Sequence, residues 1–250
     1  DREGEAERHT DLLAGRTFDL ERGPLIRVFL LRLAPGLHRL IQNEHHLVHD
    51  GWTEGVLLED VTLLYRAYAL GEPSPLPELP FQYADFAVWQ RRWLTGEVLE
   101  RQVAYWRGHL EGAPPLLELP TDRPRPQVLS SHGDARNFRL SPELSERIAR
   151  LARGERATTF MAMLAAFQVV LARWSRQEDL VIGTAAANRR HREVERVVGM
   201  VINTLALRTD VSGDPRFAEL VDRVRQVCLG AYAHEDLPFE KVVEAVAPER

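Results

Sequence analysis

Between Gln42 and Thr53 the sequence runs Gln-Asn-Glu-His-His-Leu-Val-His-Asp-Gly-Trp-Thr, placing His45, His46, His49 and Asp50 within six residues. Three kinds of chemistry fit that cluster. His45 and His49 stand at i, i+4, the spacing that puts two imidazoles on one helix face as zinc ligands. That reading requires a helix, whereas Leu37 to Leu47 reads as a strand and Asp50-Gly51 as a turn. No third ligand is obvious nearby, so the site is read without a metal. Alternatively, the histidines are satisfied structural residues at a strand end, with Asp50 accepting a backbone N–H. In the third reading His46 is a general base, aimed from the end of a buried strand into a cavity and held in one tautomer by a neighbour. Imidazole suits that task because its ordinary pKa of about 6.5 lies near cellular pH. Asp50 would then orient the loop without taking a proton itself. Spacing alone leaves the second and third readings open.

The flanking elements would carry this loop from a strand into a helix. Leu25 to Leu33 is largely apolar, Ala34-Pro35-Gly36 is a turn signal, and Leu37 to Leu47 returns as the second strand of a hairpin. After Gly51 the spacing of Val56, Leu57, Val61, Leu64, Tyr65 and Ala69 is helical. A rigid strand that delivers a loop to a helix start, where N–H groups are free, is a frequent place for chemistry.

Amphipathic spacing predicts a helix over 4–18. Prolines at 73, 75, 77 and 80 make 71–80 a surface connection. Helices are predicted over 82–94, where Tyr83, Phe86, Trp89 and Trp93 form an aromatic stripe read as core packing, and over 97–110. The proline-rich stretch 119–126 is the clearest break, and it predicts an N-terminal lobe over 1–125 and a C-terminal lobe over 126–250. In the second lobe, Ala135 to Leu140 reads as a short strand. Ser141 caps a helix that has Pro142 in its first turn, and Thr158 or Thr159 opens an apolar helix to about Trp174. Strands follow over 179–186 and 200–209, with the charged 188–195 looping over the surface between them. Helices over 217–232 and 239–247 close the chain.

With 250 residues and 44% hydrophobic content, the chain can bury a sizeable core. A formal charge of −5 without a basic run gives no electrostatic footprint for nucleic acid. Cys228 is the single cysteine, which excludes an intrachain disulfide, and it reads as a buried small hydrophobe. No stretch approaches the roughly 18 apolar residues of a membrane span, and the acidic N-terminus is unlike a signal peptide. A cytoplasmic location without membrane contact is expected.

Four stretches carry a family resemblance. His45 to Gly51 matches the HHxxxDG signature of nonribosomal peptide synthetase condensation domains and the wider chloramphenicol acetyltransferase-like superfamily. Tyr83 to Trp89 resembles YxDYAVW, Val198 to Thr204 resembles IGxFVNT, and His234 to Glu240 resembles HQDxPFE, in the family's order. The resemblance implies an α/β (α+β) fold with two lobes, each a mixed sheet packed with helices, the first lobe incomplete. It also implies amide formation. The amine of an aminoacyl group on one peptidyl carrier protein attacks the thioester of an acyl or peptidyl group on the upstream carrier. Both arrive on 4′-phosphopantetheine arms from opposite ends of a channel between the lobes. No cofactor of the domain's own is implied, and the partners are the upstream and downstream carriers and a neighbouring adenylation domain.

In that family the residue matching His46 stands at the channel centre, as a base or as a group that positions the amine. His45, Asp50 and Gly51 complete the signature, and Trp52, Gly199 and Asn203 are expected along the substrate path. Gly199 would permit a backbone approach that a side chain blocks, and Asn203 brings a donor and an acceptor into an apolar strand. The motifs SxAQxRLWxL, RHExLRTxF and RDxSRNPL are absent, so a domain truncated at both ends is expected. An arginine of the second of these would normally pair with the aspartate matching Asp50, which is therefore expected to lack its partner. Epimerization by His46 with a carboxylate, and a non-catalytic carrier-docking module, are the alternatives. Gly51-Trp52-Thr53 and Asn203-Thr204 favour condensation over the first, and the intact His45, His46, Asp50 and Gly51 over the second.

Overall fold

A computed structural model of the chain describes residues 2–124, 126–128, 130 and 133–246. Two compact units emerge, one from Asp1–Trp93 with Ala187–Ile202, the other from Leu94–Ala186 with Asn203–Arg250. They are not the continuous halves expected from the proline-rich break, whose Arg125 lies outside the described residues. That stretch connects parts of one unit: Gln177 accepts from the Glu118 N–H (2.8 Å) and donates to the Leu116 carbonyl (3.0 Å) on its N-terminal side. Residues 187–202, which include the 188–195 stretch read as a charged surface loop, instead return to the first unit.

In the first unit α1 (Arg2–Ala14) packs on a hairpin of β1 (Ile26–Ala34) and β2 (Leu37–Glu44), antiparallel from Ile26↔Glu44 to Ala34↔Leu37. Gly36 takes φ +75° in the connecting turn, a conformation that glycine adopts without strain. Accessibility alternates along β1, with Phe29, Leu31 and Leu33 on the more sheltered face. Asn43 of β2 donates to the Leu13 carbonyl (2.7 Å), tying helix to hairpin. A 3-10 turn over His46–Val48 leads to α2 (Gly51–Ala69), and α3 (Tyr83–Trp93) follows the proline-rich connection. Phe86 of α3 packs with Val194 and Val201 of the returning segment, so the aromatic stripe does pack in part as expected.

The second unit contains α4 (Gly96–Leu110), α5 (Pro142–Gly154), α6 (Thr159–Ser175), β3 (Asp179–Ala186), β4 (Asn203–Asp210), α7 (Phe217–Ala233) and α8 (Phe239–Val246). Ala247, the expected end of the last helix, lies outside the described residues. Ser141 accepts from the Leu144 N–H (3.2 Å) and Thr158 from the Met161 N–H (3.2 Å), caps that each contribute about 1 kcal/mol. The core is built by Trp106, Leu164, Leu205, Leu207, Val221, Val224, Cys228 and Leu237, and full burial of each such side chain contributes about 1.5–3 kcal/mol. β3 and β4 pair antiparallel from Asp179↔Asp210 to Ala186↔Asn203. Where mixed sheets were expected, the described residues supply one antiparallel pair per unit. The strand expected over 135–140 does not form: the segment takes no regular secondary structure and has no ladder partner among the described residues, and Phe138 is 80% exposed. Among the described residues no single helix is long and apolar enough to cross a membrane.

Candidate active site

β2 ends at Glu44, and the next residues turn rather than continue the strand. The His45 N–H donates to the Leu25 carbonyl (2.9 Å), closing the hairpin's open end. His45 Nδ1 accepts from the Leu47 N–H (3.1 Å), so its side chain caps the 3-10 turn. His45 and His49 are both extended in backbone, which removes the helix face that zinc binding at i, i+4 required. The exposed ring of His46 stacks on that of His49 (centroids 4.9 Å apart), and His46 Nδ1 lies 2.8 Å from the His49 carbonyl. A carbonyl only accepts, so Nδ1 carries the proton in this bond and the neutral ring keeps its lone pair on Nε2.

Asp50 anchors the loop from below. Its side chain is 1% exposed and closes α2 as N-cap, Oδ1 accepting from the Thr53 N–H (2.8 Å). Oδ2 accepts from the N–H groups of Val201 (2.9 Å) and Ile202 (3.1 Å), 151 and 152 residues away in sequence. The expectation that Asp50 lacks a cationic partner is corrected by Arg189. Its Nη2 donates to both carboxylate oxygens at 3.1 Å, and its side chain is also 1% exposed. Nη1 donates to the carbonyls of Val194 and Val197, both at 2.7 Å. Thr53 Oγ1 completes the network, donating to the Gly199 carbonyl (3.0 Å) and accepting from the Gly199 N–H (3.2 Å). Burial pushes the Asp50 carboxyl up, but the N–H groups of Thr53 and Val201, with the Thr53 hydroxyl and the Arg189 charge, outweigh it and hold the pKa below the ordinary carboxylate value. Asp50 is thus an ionised strut.

Gly199 answers a steric demand. A Cβ there would stand 2.2 Å from Cδ2 and 2.7 Å from Cγ of Tyr83, whose hydroxyl donates to the Met200 carbonyl (3.0 Å). Trp52 Nε1 donates to the Glu195 carbonyl (2.8 Å) while the residue stays 47% exposed. Beside Gly51, the first residue of α2, nothing lies within 4 Å of a Cβ position, so the fold does not require glycine there. In the second unit Asn203 uses its whole amide on backbone. Nδ2 donates to the carbonyls of Glu235 and Leu237 (both 2.7 Å), and Oδ1 accepts from the N–H groups of Thr204 (2.9 Å) and Phe239 (3.1 Å). It fastens the turn that opens α8 and has no amide group left over.

His45, His46, Asp50, Gly51, Trp52 and Gly199 therefore share one unit, Gly199 through a hydrogen-bonded network and not through sequence. Arg189 escaped sequence reasoning because Arg189, Arg190, Arg192 and Arg196 crowd one charged stretch, and no spacing distinguishes the buried one. The structure also gathers a donor set invisible in sequence. Glu44, His49 and Glu54 offer ligand atoms within 4.8 Å of one another.

The sequence matches the family Condensation domain over residues 1–250. One of the linear gramicidin synthase proteins of Brevibacillus parabrevis is 50% identical over 250 residues, 100% of this chain and 5% of that protein. The solved complex of the X-domain and OxyB from teicoplanin biosynthesis gives a TM-score of 0.89 at 31% identity, covering 98% of this chain and 55% of that one. The first condensation domain of the CDA synthetase gives 0.76 at 27% identity, covering 96% and 53%. The chain thus spans about half of these solved domains and a small part of the curated relative. The α/β fold is that of the chloramphenicol acetyltransferase-like proteins. A match over the full 250 residues, half of them identical in a peptide synthetase, means that the chain belongs to the condensation domain family of nonribosomal peptide synthetases.

Proposed function

We propose that this chain carries the centre at which a condensation domain forms an amide between two carrier-bound substrates. The amine of the downstream aminoacyl group attacks the carbonyl of the upstream thioester. A C–N bond forms, the C–S bond breaks, the amine loses a proton and the pantetheine sulfur leaves as a thiol. The observation that carries the reading is the His46 ring, with Nδ1 bonded to the His49 carbonyl at 2.8 Å and Nε2 bonded to no described residue. Nε2 can accept a hydrogen bond from the attacking amine and take its proton as the amide forms. A free α-amino group titrates near pH 8, so orienting it contributes alongside the proton transfer. His45 and Asp50 position this ring through the loop, Asp50 with Arg189 as its counter-ion. Gly51 and Trp52 flank the approach, Gly199 supports the network behind them, and Asn203 holds the turn before α8. The domain needs no cofactor of its own in this reading, since 4′-phosphopantetheine arrives on the two carrier proteins, with an adenylation domain loading the acceptor.

Amide formation tests the proposal, with donor and acceptor each loaded on a carrier protein and this chain set within a complete condensation domain. Intact-protein mass spectrometry should show transfer to the acceptor, lost in His46→Ala. Equal transfer by both proteins would overturn the role of His46. No transfer, together with deuterium uptake at the α-carbon of a carrier-bound residue, would replace condensation by epimerization, and silence in both assays would leave a docking module.

A further inference from the structure

We infer that Glu44, His49 and Glu54 form a binding site for a first-row divalent transition ion of the zinc class. The residues come from three elements: the last position of β2, the extended residue after the 3-10 turn, and the first turn of α2. Glu44 Oε2 lies 3.9 Å from His49 Nδ1, and Glu54 Oε1 lies 4.0 Å from His49 Nε2; Nδ1 donates to the His45 carbonyl (3.3 Å), which leaves Nε2 as the ligand nitrogen. The two carboxylate separations are too long for hydrogen bonds.

The independent sign of a ligand is Glu44 itself. Its side chain is only 9% exposed. Oε1 accepts from Gln42 Nε2 (3.1 Å), but Oε2 is buried without a hydrogen-bond partner and points at the imidazole. A buried carboxylate oxygen left so is unfavourable unless a cation meets it. With one ligand atom from each residue the three lie within 4.8 Å of one another; an ion at about 2.0–2.2 Å from each donor would hold them roughly 3.3–3.5 Å apart, reached by closing that spacing by up to about 1.5 Å. Glu54, 67% exposed, is free to make that movement. One imidazole nitrogen and two carboxylates suit zinc and its neighbours better than the all-oxygen preference of magnesium or calcium.

Such an ion would join β2 to α2 across the residue whose carbonyl holds His46 Nδ1, so its effect is to stiffen the loop. The site is independent of the acyl-transfer reading and stands whether or not His46 acts on the amine.

The test is calorimetric titration of the chain with zinc chloride, with magnesium chloride in parallel and thermal unfolding as a second readout. One equivalent of zinc should bind and raise the transition temperature, while magnesium leaves both unchanged. His49→Ser and Glu54→Gln should weaken zinc binding by at least about tenfold. Glu54 is an exposed position, so its variant keeps the test readable if the His49 variant fails to fold. No zinc binding, or binding of equal affinity in the variants, would overturn the proposal, the second outcome assigning the ion to other histidines.

Discussion

Asp50 and Arg189 are almost wholly removed from water, and each supplies the other's counter-charge while also bonding backbone. Replacing one partner leaves the other buried without its counter-charge, which costs about 3–5 kcal/mol. Asp50→Asn and Arg189→Met are each expected to lower the urea midpoint sharply, and the two combined to lower it by clearly less than the sum, because the double variant holds no lone buried charge. A double variant as unstable as the sum of the singles would show that the charges do not act as a pair. Gly199 is governed by space: Gly199→Ala drives a methyl into the root of the Tyr83 ring, costing about 1–3 kcal/mol. Adding Tyr83→Ala should make the alanine at 199 nearly neutral, by the same denaturation measurement. Of these residues Asp50, Gly199 and Tyr83 were legible in sequence because motifs name them. Arg189 and Tyr83 owe their roles to contacts 139 and 116 positions along the chain, which no local pattern records.

Elements were legible wherever a local rule decided them. An apolar run and a Pro-Gly turn gave the β1–β2 hairpin, Ser141 marked the start of α5 by its capping bond, and of the two threonines expected to open α6 it is Thr158 that makes the cap. Residues 135–140 show where such rules end. Phe138 and Leu140 alternate with polar neighbours as a strand would, but a strand exists only when a partner supplies its ladder, and none of the described residues does so. β4 likewise begins at Asn203, later than the apolar run from Met200 suggests. The N–H groups of Val201 and Ile202 are already given to Asp50. Helix α2 offers a test that separates fold from function. Gly51 opens it with empty space beside it, so Gly51→Leu should leave the unfolding midpoint unchanged or slightly raised, leucine being the better helix former. If the approach to His46 passes there, the same variant should lose at least about tenfold in amide transfer. Unchanged transfer would remove Gly51 from the substrate path.

For the molecule as a whole, composition showed that a core exists, and the periodic helices showed most of what lines it. The division of the chain stayed hidden because 187–202 leaves one unit for the other through the partners of Arg189 and Val194. Cys228 allows the stability of the second unit to be followed. It is fully buried in that unit's core, where desolvation pushes its thiol from an ordinary value near 9.0 up to about 11. Thiolate, the reactive form, is therefore scarce in the folded protein, and alkylation requires opening of the unit. The sign of the pH effect follows. Below the unfolded pKa both states keep the proton and the full contribution to stability is present. Between about 9 and 11 the unfolded chain is ionised while the folded one is not, so stability falls by about 1.4 kcal/mol per pH unit from this group. Above about 11 the loss levels off. Tyr232, raised by burial to about 12 and coupled to Cys228, extends the decline on the alkaline side. Urea titrations from pH 7 to pH 11, with iodoacetamide labelling followed by mass spectrometry, should show a midpoint that is flat to about pH 8.5 and then falls. Labelling should accelerate beyond the growth in thiolate expected of a free cysteine. Rapid labelling at pH 8 without denaturant, at the rate of an exposed thiol, would mean that the core around Cys228 is open in solution.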